Sequence, residues 1–282
     1  MNDPVSRDVA STLPVPDPGP LRSGMLSGVP GVVHGLTYRV PGLGVADGNV
    51  GYGSPRDKAD AWEMRQIWCR GIGVDPHRIV TMGQVHGRDV LRVTAQHAGS
   101  GATPNSTHAG VADALITDSP DVVLMTLHAD CQPILIVDPE RPAVAAVHAG
   151  WRGTVADVAG AAVQAMERAF GSEPAKLLAY PGPAIGVCCN EVGDEVIAAW
   201  RDQARDLGPL AELAVAHPGP KDHFDGSRAN TLLLMRAGLT PDHIEVSDIC
   251  TKCSKDSWFS HRGHGPGAGR EGGLIALASP SE

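Results

Sequence analysis

Residues 126–153 read TLHADCQPILIVDPERPAVAAVHAGWRG, and the fold turns on how this stretch pairs with itself. Two apolar runs flank DPERP, where Pro139 and Pro142 interrupt any regular element. Short apolar runs on either side of such a break predict an antiparallel hairpin. With Asp138 opposite Ala143, Pro133 falls opposite His148. Cys131, two residues from Pro133, then projects to the same face as His148. A slip of one residue would put them on opposite faces, so the register decides whether a thiol and an imidazole meet. The following GWRG opens a helix.

Working outward toward the N-terminus, ADALITD (112–118) and DVVLMTLHA (121–129) predict two further strands. HRIVTMGQVHGRDVLRVTA (77–95) predicts two strands interrupted at His86-Gly87, and residues 96–110 a polar loop. From Asp57 to Gly71 the period changes. Ala61, Met64, Ile67 and Trp68 share one helical face, and Gly71 and Gly73 end the helix. Before it, glycines at 42, 44, 48, 51 and 53 make a loop whose spacing fits neither a P-loop nor a dinucleotide fingerprint. Residues 31–40 predict a first strand carrying His34 and Arg39. Residues 1–28, rich in Pro, Ser and Gly, predict a disordered tail.

Downstream, Val155, Val158, Ala159, Ala162, Val163, Met166 and Ala169 trace one face of a helix of about four turns. KLLAYPGPAIG (176–186) predicts a strand running into a turn, and Glu191 to Leu207 a helix. Residues 211–226 support no single assignment. Ser227 to Gly238 predicts a helix with a serine cap. IEVSDIC (244–250) predicts a strand, residues 250–273 a long irregular loop, and LIALA a final strand. Strands outnumber helices and both are spread along the chain. The expected fold class is α/β: one domain over 29–282, of layered mixed β-sheets flanked by helices.

Composition narrows the function. The chain has 282 residues, 42% hydrophobic, enough for one large core. A net charge of −9 argues against nucleic acid or an anionic membrane as the main partner. No apolar run is long enough to span a bilayer, and the first residues lack the pattern of a secretory signal. Six cysteines are too few for a disulfide scaffold, so the expectation is a cytoplasmic protein with reduced thiols.

His86, Cys131 and His148 each stand where an apolar run meets Gly or a break. Two His and one Cys suit Zn²⁺ with a fourth position open, and copper would accept the same donors. A strand-end His beside Gly can equally serve structure. Asp130 is a candidate proton carrier or partner of a ligand His, or a maker of a local turn bond. Gln84 can orient substrate or satisfy backbone. Strand alternation puts His128 on the face opposite Cys131. Cys250 and Cys253 have the spacing of a metal pair. With no second C-x-x-C, and with Cys188 and Cys189 read as small buried residues, plain thiols are the expectation.

GQVHG (83–87), ADCQPILIVD (129–138), VAAVHAGWRGTVADV (144–158) and GPAIGVCCNEVGDEV (182–196) resemble the signatures of the multicopper polyphenol oxidase (laccase-like) family, also called the peptidoglycan editing factor or purine nucleoside phosphorylase family. Residues 47–76 resemble its N-terminal loop and helix. Cys250, Thr251, Phe259 to Arg262, Gly269 and Arg270 fit its closing pattern, so the resemblance covers roughly 29–278. Asn190 and His128 depart from the Tyr and Thr expected there. The resemblance implies a metal, Zn²⁺ above copper, on His86, Cys131 and His148. It also implies phosphorolysis of purine nucleosides (adenosine, inosine, guanosine, methylthioadenosine), with adenosine deamination beside it. Phenol oxidation by copper and a peptidoglycan-precursor editing role are also attached to the family.

Elementary chemistry separates these. A trinuclear copper cluster needs many His ligands, often in His-x-His pairs, and none of the 12 His forms one. Phosphorolysis needs an anion site, for which Arg39, Arg65, Arg152 and the helix start at Gly150–Gly153 are candidates, with Gln84 toward the substrate. The expected catalytic residues are Cys131, His148 and Asp130. The partners are purine nucleosides and phosphate. A cysteine hydrolase, with His148 activating Cys131, is the alternative that needs no metal.

Overall fold

Neighbouring residues of the central strands alternate between two apolar layers, and that alternation builds the molecule. The computed structural model describes residues 18–278. One sheet has the order β3 (Val90–Arg92), β4 (Ala114–Thr117), β7 (Ala143–Ala149), β6 (Gln132–Asp138) and β8 (Leu178–Pro181). The other has β1 (Val32–Leu36), β11 (Glu271–Leu277), β5 (Val123–His128) and β2 (Ile79–Val80). Both are mixed, with β3 parallel to β4 and β2 parallel to β5.

On β6, Leu135 and Val137 face the other sheet, where they pack with Leu124, Ile275 and Leu277. Ile134 and Ile136 face away, toward Val158, Ala162, Val163 and Met166 of helix α4 (Val158–Phe170). On the second sheet, Met125, Leu274 and Ala276 face outward against Met64, Trp68 and Ile72 of helix α2 (Lys58–Ile72). The result is four layers, helix, sheet, sheet, helix, as the α/β reading anticipated. Burying each of these Leu, Ile or Val side chains is worth roughly 1.5–3 kcal/mol. No helix among the described residues is long and apolar enough to cross a membrane.

The hairpin has the expected register: Asp138 opposes Ala143 and Pro133 opposes His148. Helix α2 starts at the Asp57 cap, whose side chain accepts from Ala59 N and Asp60 N, and ends at Gly73 with φ 92°.

Four expectations need correction. Residues 18–28 are not tail: Ser23 caps the short helix α1 (Gly24–Ser27), Leu26 is fully buried, and the Glu245 carboxylate accepts from Ser23, Gly24 and Met25. The tail reading of 1–17 lies outside the described residues. The long helix after GWRG is two, α3 (Trp151–Val155) and α4, because Asp157 adopts φ 65° and caps α4 through Gly160 N. IEVSDIC is not a strand; it makes isolated bridges, Ile244 with Ala179 of β8 and Cys250 with Ala184 beyond it, and Glu245 N and Ser247 N donate to the carbonyls of Ala179 and Pro181. Asp225, not Ser227, caps helix α6 (Gly226–Arg236).

The remaining elements cover the ends of the strands that carry the site. Helix α5 (Asp194–Gln203), the small hairpin β9 (Val215–Ala216) and β10 (His223–Phe224), and α6 share a core around Trp200 and Phe224. The single turn α7 (His261–His264) lies in the closing loop.

Candidate metal centre

Strand register and one carboxylate assemble the centre. Ala114 of β4 opposes Val147 of β7, so the next residues along, Asp113 and His148, lie side by side. His148 N donates to Asp113 O at 2.8 Å, and His148 Nδ1 lies 2.8 Å from Asp113 Oδ1. The same carboxylate accepts from Val85 N (3.2 Å), His86 N (3.0 Å) and Gly87 N (2.6 Å). It therefore fixes the QVHG turn, in which His86 has φ 61°, against the end of the hairpin. Asp113 is fully buried and His148 nearly so.

With Nδ1 tied to Asp113, His148 turns Nε2 toward the other two donors. Ligand atoms of His86, Cys131 and His148 lie within 4.8 Å of one another, and Cys131 Sγ is 3.7 Å from His86 Nε2. Gly150 closes over them: a Cβ there would lie 2.6 Å from His86 Cδ2 and 3.0 Å from Cys131 Sγ. Two imidazoles, a thiolate and a carboxylate orienting one imidazole make a donor set that fits Zn²⁺ with an open position. His86, Cys131 and His148 could thus hold a metal ion.

The metal-free electrostatics are those of an ion pair. Burial pushes the Cys131 thiol up, but His148 beside it and hydrogen bonds from His148 and His86 bring it down to about 6. Burial pulls His148 down, but the Cys131 thiolate and Asp113 raise it to about 9. The Asp113 carboxyl, which burial alone would raise, is held below its usual range by His148 and by the Gly87 and Val85 N–H groups.

The centre lies between two cavities. The larger, about 620 Å³, is lined by His86, Cys131 and His148 and by Arg56, Lys58, Arg65 and Arg270. The smaller, about 390 Å³, shares His86, Cys131 and Arg270 and adds Trp151, Asn190 and Phe224. No carboxylate among the described residues pairs with those four cations, in a chain of net charge −9. Arg65 donates to the carbonyls of Val50, Gly101 and Ala102 and stacks on Tyr52 at 3.9 Å. Burial lowers it to about 10, which leaves it charged at neutral pH.

Of the anion-site candidates, only Arg65 and Gln84 reach this cavity. Arg39 pairs instead with Asp47 at 2.6 Å, and exposed Arg152 stacks on Trp151; neither lines either cavity. The Gln84 amide donates to Leu127 O and accepts from Leu127 N, both at 2.8 Å, which is the backbone role. Asp130 touches no ligand His: it accepts from Thr251 Oγ1 (2.6 Å) and Arg262 N (2.7 Å), tying the closing loop to the ADC turn. His128 does not point away: its buried ring packs 5.5 Å from that of His148 and bonds Thr126 Oγ1. Sequence reasoning missed Asp113, Arg56 and Lys58, whereas Arg270, of the closing pattern that the resemblance covers, lines both cavities. Asp113 had a signal, a carboxylate set between alanines at the start of an apolar run.

A family model described as multi-copper polyphenol oxidoreductase laccase matches residues 33–278. The chain belongs to this family. Among its relatives, a purine nucleoside phosphorylase YlmD of Geobacillus stearothermophilus is 35% identical over 236 residues, covering 82% of this chain and 85% of that protein. A protein named adenosine deaminase RL5, from an unknown prokaryotic organism, is 34% identical over 74% of this chain and 78% of its own length. The crystal structure of YlmD from G. stearothermophilus superposes with a TM-score of 0.84 at 33% identity, over 89% of this chain and 93% of that one. The layered α/β fold is thus the family's.

Proposed function

We propose that the protein is a metal-dependent purine nucleoside phosphorylase with adenosine deamination as a side activity. The observation that carries this reading is the position of the centre, between a cation-lined cavity and a second one bordered by Trp151, Asn190 and Phe224. Four cations without carboxylate partners favour a small polyanion beside the centre. Orthophosphate there would attack the anomeric carbon as the bond to the purine nitrogen breaks, giving ribose 1-phosphate and free base. Names borne by relatives, purine nucleoside phosphorylase and adenosine deaminase, support the same substrate class.

In this reading Arg56, Lys58, Arg65 and Arg270 hold the phosphate, and Arg270, which borders both cavities, spans the reacting groups. His86, Cys131 and His148 hold Zn²⁺, which supplies Lewis acidity when bound. Asp113 orients His148. Asp130 is proposed as a proton carrier at the mouth of the smaller cavity, which it lines. A cytoplasmic setting, where nucleosides and phosphate are supplied, completes the reading.

One observation favours a second reading. Cys131, His148 and Asp113 form a thiolate–imidazolium–carboxylate series, the arrangement of a cysteine hydrolase. One assay separates the two. Wild type, Cys131→Ala and Arg270→Ala are each given adenosine or inosine with and without phosphate, and products and bound metal are measured. Phosphate-dependent release of base by the wild type, loss of the metal equivalent held by His86, Cys131 and His148 together with turnover in Cys131→Ala, and a phosphate KM raised about tenfold or more in Arg270→Ala are expected. Full activity of metal-free wild type in chelator would sink the metal reading and leave the hydrolase.

A further inference from the structure

Four of the six cysteines meet at one point on the surface, away from the centre described above. The Sγ atoms of Cys188, Cys189, Cys250 and Cys253 all lie within 4.8 Å of one another. Cys253 Sγ is 3.4 Å from Cys189 Sγ and 3.6 Å from Cys188 Sγ. None is in a disulfide. Two short loops bring them together: the turn after β8, which carries the adjacent pair, and the start of the closing loop, which carries the C-x-x-C pair. The sequence reading dismissed a four-cysteine site because it sought a second C-x-x-C. Here an adjacent pair stands in its place.

We infer that these four thiols form a second metal site, a tetrathiolate that takes Zn²⁺ as a structural ion. Zinc bound at about 2.3 Å by four sulfurs sets them roughly 3.8 Å apart, close to the spacings found. The Gly186 N–H donates to Cys250 Sγ at 3.2 Å, a hydrogen bond that stabilises a thiolate. Four soft donors with no nitrogen or oxygen ligand among them select zinc over the harder divalent ions. Cys188 and Cys253 are exposed, so the ion has a path in. The thiols must lose their protons on binding, which ties uptake to release of protons.

The ion would clamp two segments that have little regular structure of their own. Around the cluster, Thr251 N donates to Ala184 O (3.0 Å), and the Arg262 guanidinium donates to Cys189 O (3.3 Å) and Glu191 O (3.2 Å). Arg262 and Thr251 are also the groups that hold Asp130. Ala184, Ile185, Asn190, His261 and Arg262 form one wall of the smaller cavity, so the clamp sets that wall.

The test uses the full chain, purified in reductant, stripped with chelator and reloaded with Zn²⁺ or Co²⁺ alone. Wild type is expected to bind about two equivalents per chain, Cys253→Ser about one, and Cys131→Ala about one, the last retaining the intense sulfur-to-cobalt absorption of a tetrathiolate. The Cys253→Ser protein is expected to lose that absorption and to gain proteolytic sensitivity within residues 250–264. If wild type takes up one equivalent only and that ion lacks the cobalt absorption of a tetrathiolate, or if Cys253→Ser leaves stoichiometry and cobalt spectrum unchanged, the site is refuted; one equivalent that carries this absorption would count against the His–Cys–His centre instead. Should Cys253→Ser fail to fold, the cobalt spectrum of Cys131→Ala decides alone: absorption weaker than four thiolates require overturns the inference.

Discussion

The two clusters of metal-ligand side chains are built in opposite ways. His148 sits in a seven-residue strand paired on both sides, and His86 is held to it by a carboxylate that accepts from three successive N–H groups. The four thiols sit on loops, with exposed members and with the Gly186 and Cys253 N–H groups donating to Cys250 Sγ. The first is pre-organised by the core, so geometry precedes the ion. The second is loosely held, so the ion supplies much of the geometry. Each is closed by a glycine, Gly150 over the His–Cys–His set and Gly186 over the thiols.

The sharpest break in that comparison is Asp113→Ala. It strips four hydrogen-bond donors of their acceptor inside the core and leaves His148 unoriented. Destabilisation on the order of 3–5 kcal/mol is expected, the cost of removing one partner from a buried ionic network. Metal affinity at the centre should fall about 10–100-fold. Denaturant unfolding and zinc titration read the two effects. A change within about 0.5 kcal/mol, with zinc binding intact, would mean that Asp113 does not organise the centre.

The glycines give a smaller, paired effect. In Gly150→Ala the new methyl lies 2.6 Å from His86 Cδ2 and 3.0 Å from Cys131 Sγ, with a strand end and a fixed turn behind those atoms. A cost of about 1–3 kcal/mol and a loss of activity near 10²-fold are expected. In Gly186→Ala the nearest atoms are Cys250 Cβ at 3.1 Å and the exposed Cys188 Sγ at 3.3 Å, which can give way. That change should cost within about 1 kcal/mol. Equal losses in the two variants, measured by activity and by thermal unfolding, would erase the distinction between a rigid and a yielding site.

The same contrast explains what was legible in the sequence. The hairpin was readable because DPERP breaks two apolar runs and period-two alternation then sets which residues face each other. His86, Cys131 and His148 were readable because each ends such a run. Asp113 was not singled out, since its role depends on β4 lying antiparallel to β7, a pairing between strands distant in sequence. Arg56 and Lys58 escape notice for a similar reason: they flank the Asp57 cap of α2, and only the folded chain brings them beside Arg65, in the middle of that helix, and Arg270, near the far end of the chain. Arg39 and Arg152 end elsewhere, on Asp47 and on the Trp151 ring, because position along the chain does not determine where a long side chain ends. The four thiols join segments more than sixty residues apart, with no periodicity to announce them.

The mildest effect is a titration in the metal-free protein. An unperturbed thiol ionises near 9.0 and an unperturbed imidazole near 6.5; here Cys131 is drawn down to about 6 and His148 up to about 9. Below about 6 the thiolate takes a proton, and above about 9 the imidazolium loses one, so the ion pair is populated between those limits and vanishes on either side. Between them the folded pair and the unfolded pair each carry one proton, so stability should be nearly flat with pH there. The readout is therefore Cys131 itself, alkylated by iodoacetamide after chelation and followed by peptide mass spectrometry to separate it from the other thiols. Its thiolate fraction at pH 7 rises roughly a hundredfold over an ordinary thiol, but a thiolate of lower pKa is also a weaker nucleophile, so the net acceleration is only several-fold. The midpoint is the sharper measure. Half-maximal reaction near pH 6 in wild type, moving back toward 9 in His148→Ala, is the expected result. A midpoint near 9 in both proteins would mean that no ion pair joins Cys131 to His148, and the hydrolase reading would fall with it.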